Sequence, residues 1–168
     1  MGYGSFSASL IALALALPLA VLPSFVHAQP QKVDAAGFCQ CTTFDYNYQR
    51  AMGKTIASNY PNADQWPGWL GGQSNWHRDG SPHSGDVIVV PDYTSMPLSG
   101  GGSWESGSVG HVAIVKSVQS GGGSSFTIVM EGANQNYGAQ FTAYGCTDVS
   151  DLTVTVNTNV EQFWYPSY

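Results

Sequence analysis

The stretch GHVAIVKSVQSGGGSSFTIVME, residues 110–131, decides the reading of this chain. Val112, Ala113, Ile114 and Val115 form an unbroken apolar run, as a strand buried on both faces requires. Residues 125–131 give a second β-rich segment. Gly121, Gly122 and Gly123 between them supply turn chemistry, so residues 111–119 and 125–131 are expected to pair as an antiparallel hairpin. Such a hairpin carries a chemical consequence. With the turn centred on Gly121, His111 falls opposite Glu131; centred on Gly122, Glu131 becomes a diagonal neighbour. A carboxylate there would accept the imidazole Nδ1–H, fix the tautomer and favour the imidazolium. The same pair also suits a plain structural hydrogen bond at a strand end.

Working outward, Val87-Ile88-Val89-Val90 reads as another buried strand, closed by Pro91 and Asp92. Leu152, Val154 and Val156 alternate with Thr153, Thr155 and Asn157, the pattern of a half-buried strand. Phe163-Trp164-Tyr165 reads as a last strand or a packed tail. Before all of these, Phe44, Tyr48, Met52 and Ile56 recur at i+4 and predict a helix over residues 41–59, ended by Pro61. Residues 62–82 read as a loop holding Trp66, Trp69 and Trp76. Residues 95–110 read as a Gly/Ser loop holding Trp104. One N-terminal helix before a mostly antiparallel sheet is an α+β domain.

The whole chain has 168 residues, and its 5 basic and 11 acidic side chains all follow residue 28. Residues 10–22 are a 13-residue apolar run, and Val26-His27-Ala28 is a small-x-small pattern. Residues 1–28 are therefore expected to be a cleaved secretory signal, with an uncleaved anchor as the alternative. The run is short for a membrane span, which needs roughly 20 residues. Residues 29–168 then form one domain outside the cytoplasm. A net charge of −6 argues against nucleic-acid binding by phosphate neutralisation and against electrostatic docking on an anionic envelope.

An oxidising compartment gives the three cysteines, Cys39, Cys41 and Cys146, a meaning, because an odd count leaves one thiol over. A Cys39–Cys41 bridge would close a very short, strained loop. Cys39–Cys146 and Cys41–Cys146 are both reasonable, and the first is favoured. It would leave Cys41 free at a helix N-terminus, where unpaired N–H groups and the helix dipole favour a nucleophilic thiolate. Cysteine on a helix, then histidine and carboxylate on strands, is the chain order of papain-like thiol hydrolases.

Several motifs carry a more specific resemblance. Gln40-Cys41-Thr42, Pro82-x-x-Gly85-Asp86-Val87-Ile88-Val89-Val90, Gly110-His111-Val112-Ala113-Ile114-Val115 and Val129-Met130-Glu131 with Asn134 resemble, in order, the motifs of CHAP domains. These are cysteine, histidine-dependent amidohydrolases and peptidases that cleave amide bonds in bacterial peptidoglycan. The resemblance implies that Cys41 is the nucleophile, His111 the general base and acid, and Glu131 the residue that orients the histidine. Asn134 would match the family's polar residue after the glutamate, though it lies three positions on where the family usually has two. Thr43 stands where the family often has an aromatic, and Gly37 is displaced from its usual place just before Gln-Cys. The Cys41 N–H and the Gln40 side chain would stabilise the oxyanion. The calcium-binding acidic loop of some members has no counterpart upstream of Cys41, so no metal and no cofactor are expected. The implied partner is a peptidoglycan stem peptide or cross-bridge, and the implied source is bacterial. The protein is expected to act as a monomer, off the membrane once the signal is cut.

Other conspicuous residues have plainer readings. Asp86 supports a turn, and His77 and His83 sit in a loop with too few partners for a metal site. Trp104, in the loop before His111, is the candidate for lining a substrate groove. The competing reading of the whole chain is a non-catalytic secreted domain that binds carbohydrate or protein through its aromatics. That reading requires Cys41 to be tied in a disulfide.

Overall fold

A computed structural model describes Met1 and residues 38–167. The expected signal segment lies outside these residues. Among the described residues no helix is long and apolar enough to cross a membrane.

The helix α1 (Cys41–Ala51) is followed by a 3-10 turn (Ala63–Gln65), a short helix α2 (Trp66–Gly71) and nine strands. Seven strands form one sheet in the order β1-β9-β2-β5-β6-β8-β7, every neighbouring pair antiparallel. They are β1 (Trp76–Asp79), β2 (Val87–Val90), β5 (His111–Gly122), β6 (Ser125–Ala133), β7 (Phe141–Ala143), β8 (Cys146–Asn157) and β9 (Gln162–Pro166). The remaining two, β3 (Ser95–Pro97) and β4 (Ser103–Glu105), make a small separate hairpin. The fold is α+β, with a mostly antiparallel sheet and a helix near the N-terminus.

The helix stops eight residues short of the periodicity's reach. Gly53 takes φ +73°. Its N–H bonds the Arg50 carbonyl and that of Lys54 bonds the Gln49 carbonyl, a left-handed cap that only glycine adopts cheaply. Met52 is consequently exposed and Ile56 packs into the core from beyond the helix. The segments read as loops hold more structure than expected: α2 and β1 within residues 62–82, and the β3–β4 hairpin within 95–110.

Apolar side chains cover both faces of the sheet. On one, Val87, Val89, Val112 and Ile114 pack against Phe44, Trp66 and Leu70 from the helical layer. On the other, Ile88, Val90, Ala113, Val115 and Met130 pack with Met96 and Trp104 from the small hairpin. Phe44, Trp66 and Leu70 are fully buried, and each such side chain stabilises the fold by about 1.5–3 kcal/mol relative to exposure. Coverage on both sides explains why the central strands read as continuous apolar runs.

The register of the decisive hairpin differs from its expectation. Gly122 pairs Ser125, so the turn sits on Gly123 and Ser124. Register shifts then fall between Val115 and Ser117 and between Val118 and Ser120. At the far end Glu131 stands across from Ile114, not from His111. β6 ends at Ala133, and Asn134 turns away from the ladder with φ +57°.

Candidate active site

The site is assembled at the start of β5. Gln40, in extended conformation, offers its carbonyl to the N–H groups of Thr43 and Phe44 and so opens α1. Cys41 is the first helical residue. It is buried, and it is the free cysteine, because Cys39 and Cys146 form a disulfide. The disulfide fastens the entry of α1 to the start of β8. Asp148, two residues into β8, reinforces the same join. One carboxylate oxygen accepts the Cys39 N–H at 3.1 Å and the other accepts the Asn134 N–H at 3.0 Å. The sequence singled out neither this carboxylate nor its role. Its one visible signal was position, two residues after a bridged cysteine.

Gly110 delivers the histidine. It has φ +70°, and a Cβ there would lie 2.7 Å from the Val90 carbonyl oxygen. Only glycine lets the chain turn so tightly against β2 and enter β5 at His111. His111 is buried. Trp104 packs edge-on against its ring, with centroids 5.0 Å apart. Trp104 also donates its Nε1–H to the Gln135 carbonyl at 2.8 Å. At 8 % exposure Trp104 forms a wall beneath the imidazole.

Cys41 reaches the start of β5, the strand that His111 opens. The sulfur lies against the Val112 amide, next in sequence to His111, and among the described residues no hydrogen bond joins thiol and imidazole. Burial pushes the Cys41 thiol up to about 11, against the lowering pull of the Val112 N–H. Asp45, one turn along α1, raises it further, and the N–H groups of Thr42 and Cys41 lower it. Burial likewise pushes His111 down to about 3. The helix terminus does favour the thiolate, as expected, but loss of water outweighs it. Burial favours the neutral form of both thiol and imidazole.

Glu131 is not in this pair. Its carboxylate bonds Lys116 Nζ at 2.9 Å, and Asp151 holds the same ammonium at 2.8 Å. Both carboxylates raise Lys116 above its ordinary range. The expected contact to His111 fails because the turn sits on Gly123 and Ser124, further along the chain than expected, which sets Glu131 across from Ile114 on the helix-facing side. Asn134 is in the neighbourhood: its Nδ2–H donates to Gln40 Oε1 at 3.3 Å, so both flank Cys41. Gln135, unremarked in the sequence, is 2 % exposed, and neither atom of its amide has a partner.

Away from this end, His77 bonds Ser167 and stacks on Tyr165. Asp79, His83 and Asp86 converge, their ligating atoms within 4.8 Å of one another. Their carboxylates already serve the local turn: Asp79 accepts the N–H groups of Gly80 and Ser81, and Asp86 accepts that of His83. Burial raises Asp86 to about 6.

A free cysteine opening a helix, its sulfur against the strand backbone one residue after a histidine, is an arrangement suited to thiol chemistry. Residues 31–134 match the model of the CHAP domain, and the chain belongs to that family. The match takes in Cys41, His111, Glu131 and Asn134 and stops before β8. No curated protein and no solved structure matches the chain. Membership of this typically hydrolytic family suggests a peptidoglycan-related amidase or peptidase activity.

Proposed function

We propose that this protein is a cysteine amidase or endopeptidase, exported from the cytoplasm, that hydrolyses amide bonds in peptidoglycan through a thiol acyl-enzyme. The observation that carries the reading is the division of labour among three cysteines. Cys39 and Cys146 are joined, which leaves Cys41 free at the N-terminus of α1, its sulfur against the amide that follows His111. The rival, non-catalytic reading needed Cys41 in the bridge. A papain-like arrangement of helix and sheet is part of the same proposal.

In this scheme His111 takes the proton from the neutral Cys41 thiol as sulfur attacks the amide carbonyl. Such contacts are often long in the free enzyme and tighten around substrate. The N–H groups of Cys41 and Thr42, which point at the Cys41 sulfur in the free protein, would face the developing oxyanion, with Gln40 and its partner Asn134 at the rim. The imidazolium then protonates the leaving amine, and the neutral ring activates water to release the acyl group. A neutral pair suits a substrate that itself displaces water from the site.

The direct test compares wild type with Cys41→Ala on purified sacculi. Wild type should release muropeptides whose masses identify the bond cut, and the variant should lose at least about 1,000-fold in rate. Equal release by both, or none by wild type across several wall chemotypes, sinks the reading.

A further inference from the structure

The imidazole of His111 is left with an unfilled requirement. Its Nε2 is buried and has no hydrogen-bond partner. A histidine acting through one ring nitrogen needs the other held, or its tautomer and orientation drift. Glu131, the expected holder, is committed to Lys116 on the other face of the sheet.

The side chain with matching need is Gln135. It too is buried, and both Oε1 and Nε2 lack partners. Two observations place it on His111's side of the sheet. Trp104 spans both residues, its ring against the imidazole and its indole N–H on the Gln135 carbonyl. The Gln135 amide also fills the space above Gly132. A Cβ at Gly132 would overlap Gln135 Nε2 and stand 3.1 Å from the Ala113 Cβ. Ala113 follows His111 by two positions along β5, so the two share a face of the sheet.

We propose that Gln135 is the positioning residue for His111: a turn of its amide, which is not bonded to the ring in this structure, lets Oε1 accept the Nε2–H so that Nδ1 keeps its lone pair for the Cys41 proton. This rests on the reading of Cys41 and His111 as a catalytic pair. Gln135 touches no substrate; it acts through the ring it holds. An uncharged amide fixes the tautomer without stabilising the imidazolium, as a neutral resting pair requires. The glycine at 132 and the indole of Trp104 become the floor and wall that fix the amide.

Nitrogen-15 spectra of the histidine side chains, with the His111 signals identified by their loss in His111→Ala, decide the matter without substrate. Wild type should show His111 as a single neutral tautomer protonated on Nε2 around neutral pH. Gln135→Met, close in bulk, should mix the tautomers. On sacculi it should lower kcat by at least about tenfold while KM changes little. Gln135→Glu should restore the single site and raise the pH at which His111 loses its proton, a shift that mere packing would not produce. A wild-type spectrum in Gln135→Met overturns the assignment, as does a tautomer change in Asn134→Ala that Gln135→Met lacks. Failure of wild type to cleave any wall would remove the proposed function, yet the spectra would still decide what Gln135 does.

Discussion

At the scale of single residues, the balance between burial and the helix terminus sets how Cys41 behaves. With the thiol held up at about 11 by burial, the thiolate is a small fraction at neutral pH, and each pH unit raises it tenfold. The free protein should therefore react with iodoacetamide at a rate that climbs about tenfold per unit from pH 7 to 10. A plateau below pH 8 would reveal a resting thiolate–imidazolium pair instead. Glu131 offers the complementary measurement. Because Lys116 and not His111 holds its carboxylate, Glu131→Gln should keep wall hydrolysis within roughly tenfold of wild type, and unfolding should cost about 1 kcal/mol less at most. A loss of about 1,000-fold would return Glu131 to the imidazole. At this scale Cys41 and His111 were legible because each begins an element whose pattern is strong. Gln135 was not, since a buried glutamine is recognised by what surrounds it.

At the scale of elements, the informative failure is the hairpin. Its two strands and their antiparallel pairing were legible from apolar runs around a glycine triplet. Its register was not, because a bulge leaves no fixed mark in sequence and three consecutive glycines leave the turn free to slide. The turn slid to Gly123 and Ser124, and the two shifts recover only part of that slide, so Glu131 ends across from Ile114 and not from His111. The helix shows the opposite case. The i+4 stripe continued through Met52 and Ile56, while Gly53, already visible, was the residue that ended it. Gly110 is where an element boundary becomes chemistry. Gly110→Ala must place a Cβ against the Val90 carbonyl and hold an alanine at positive φ. The strain in backbone conformation alone is about 1–2 kcal/mol, and the overlap adds to it. Urea denaturation should show at least that loss, with hydrolysis falling further than stability because His111 is displaced. Alanine tolerated with full activity would show that the turn carries no strain.

At the scale of the whole molecule, the α+β class was legible, and the layer that covers the second face of the sheet was not. The β3–β4 hairpin lay hidden among Gly and Ser, whose strand propensity is low, and it is held by Met96 and Trp104 packing on the sheet. The long-range fastening is the Cys39–Cys146 bridge, which spans 107 positions. Closing so long a loop stabilises the folded chain by about 2–5 kcal/mol. Cys39→Ser with Cys146→Ser should lower the unfolding free energy by that amount in chemical denaturation. Hydrolysis should fall with it, because the bridge fastens the entry of α1 on which Cys41 sits. An unchanged midpoint would mean that the Asp148 clamp alone holds this join.

The tip of the β5–β6 hairpin has a practical side. Gly123 and Ser124 lie at the exposed end of the sheet, and two irregularities stand between them and His111. A lengthened tip would be absorbed where the ladder is already broken, so its distortion need not travel down the strands. A fluorophore or affinity handle inserted after Gly123 would then report on the protein, with the end of the sheet that holds Cys41 and His111 left undisturbed.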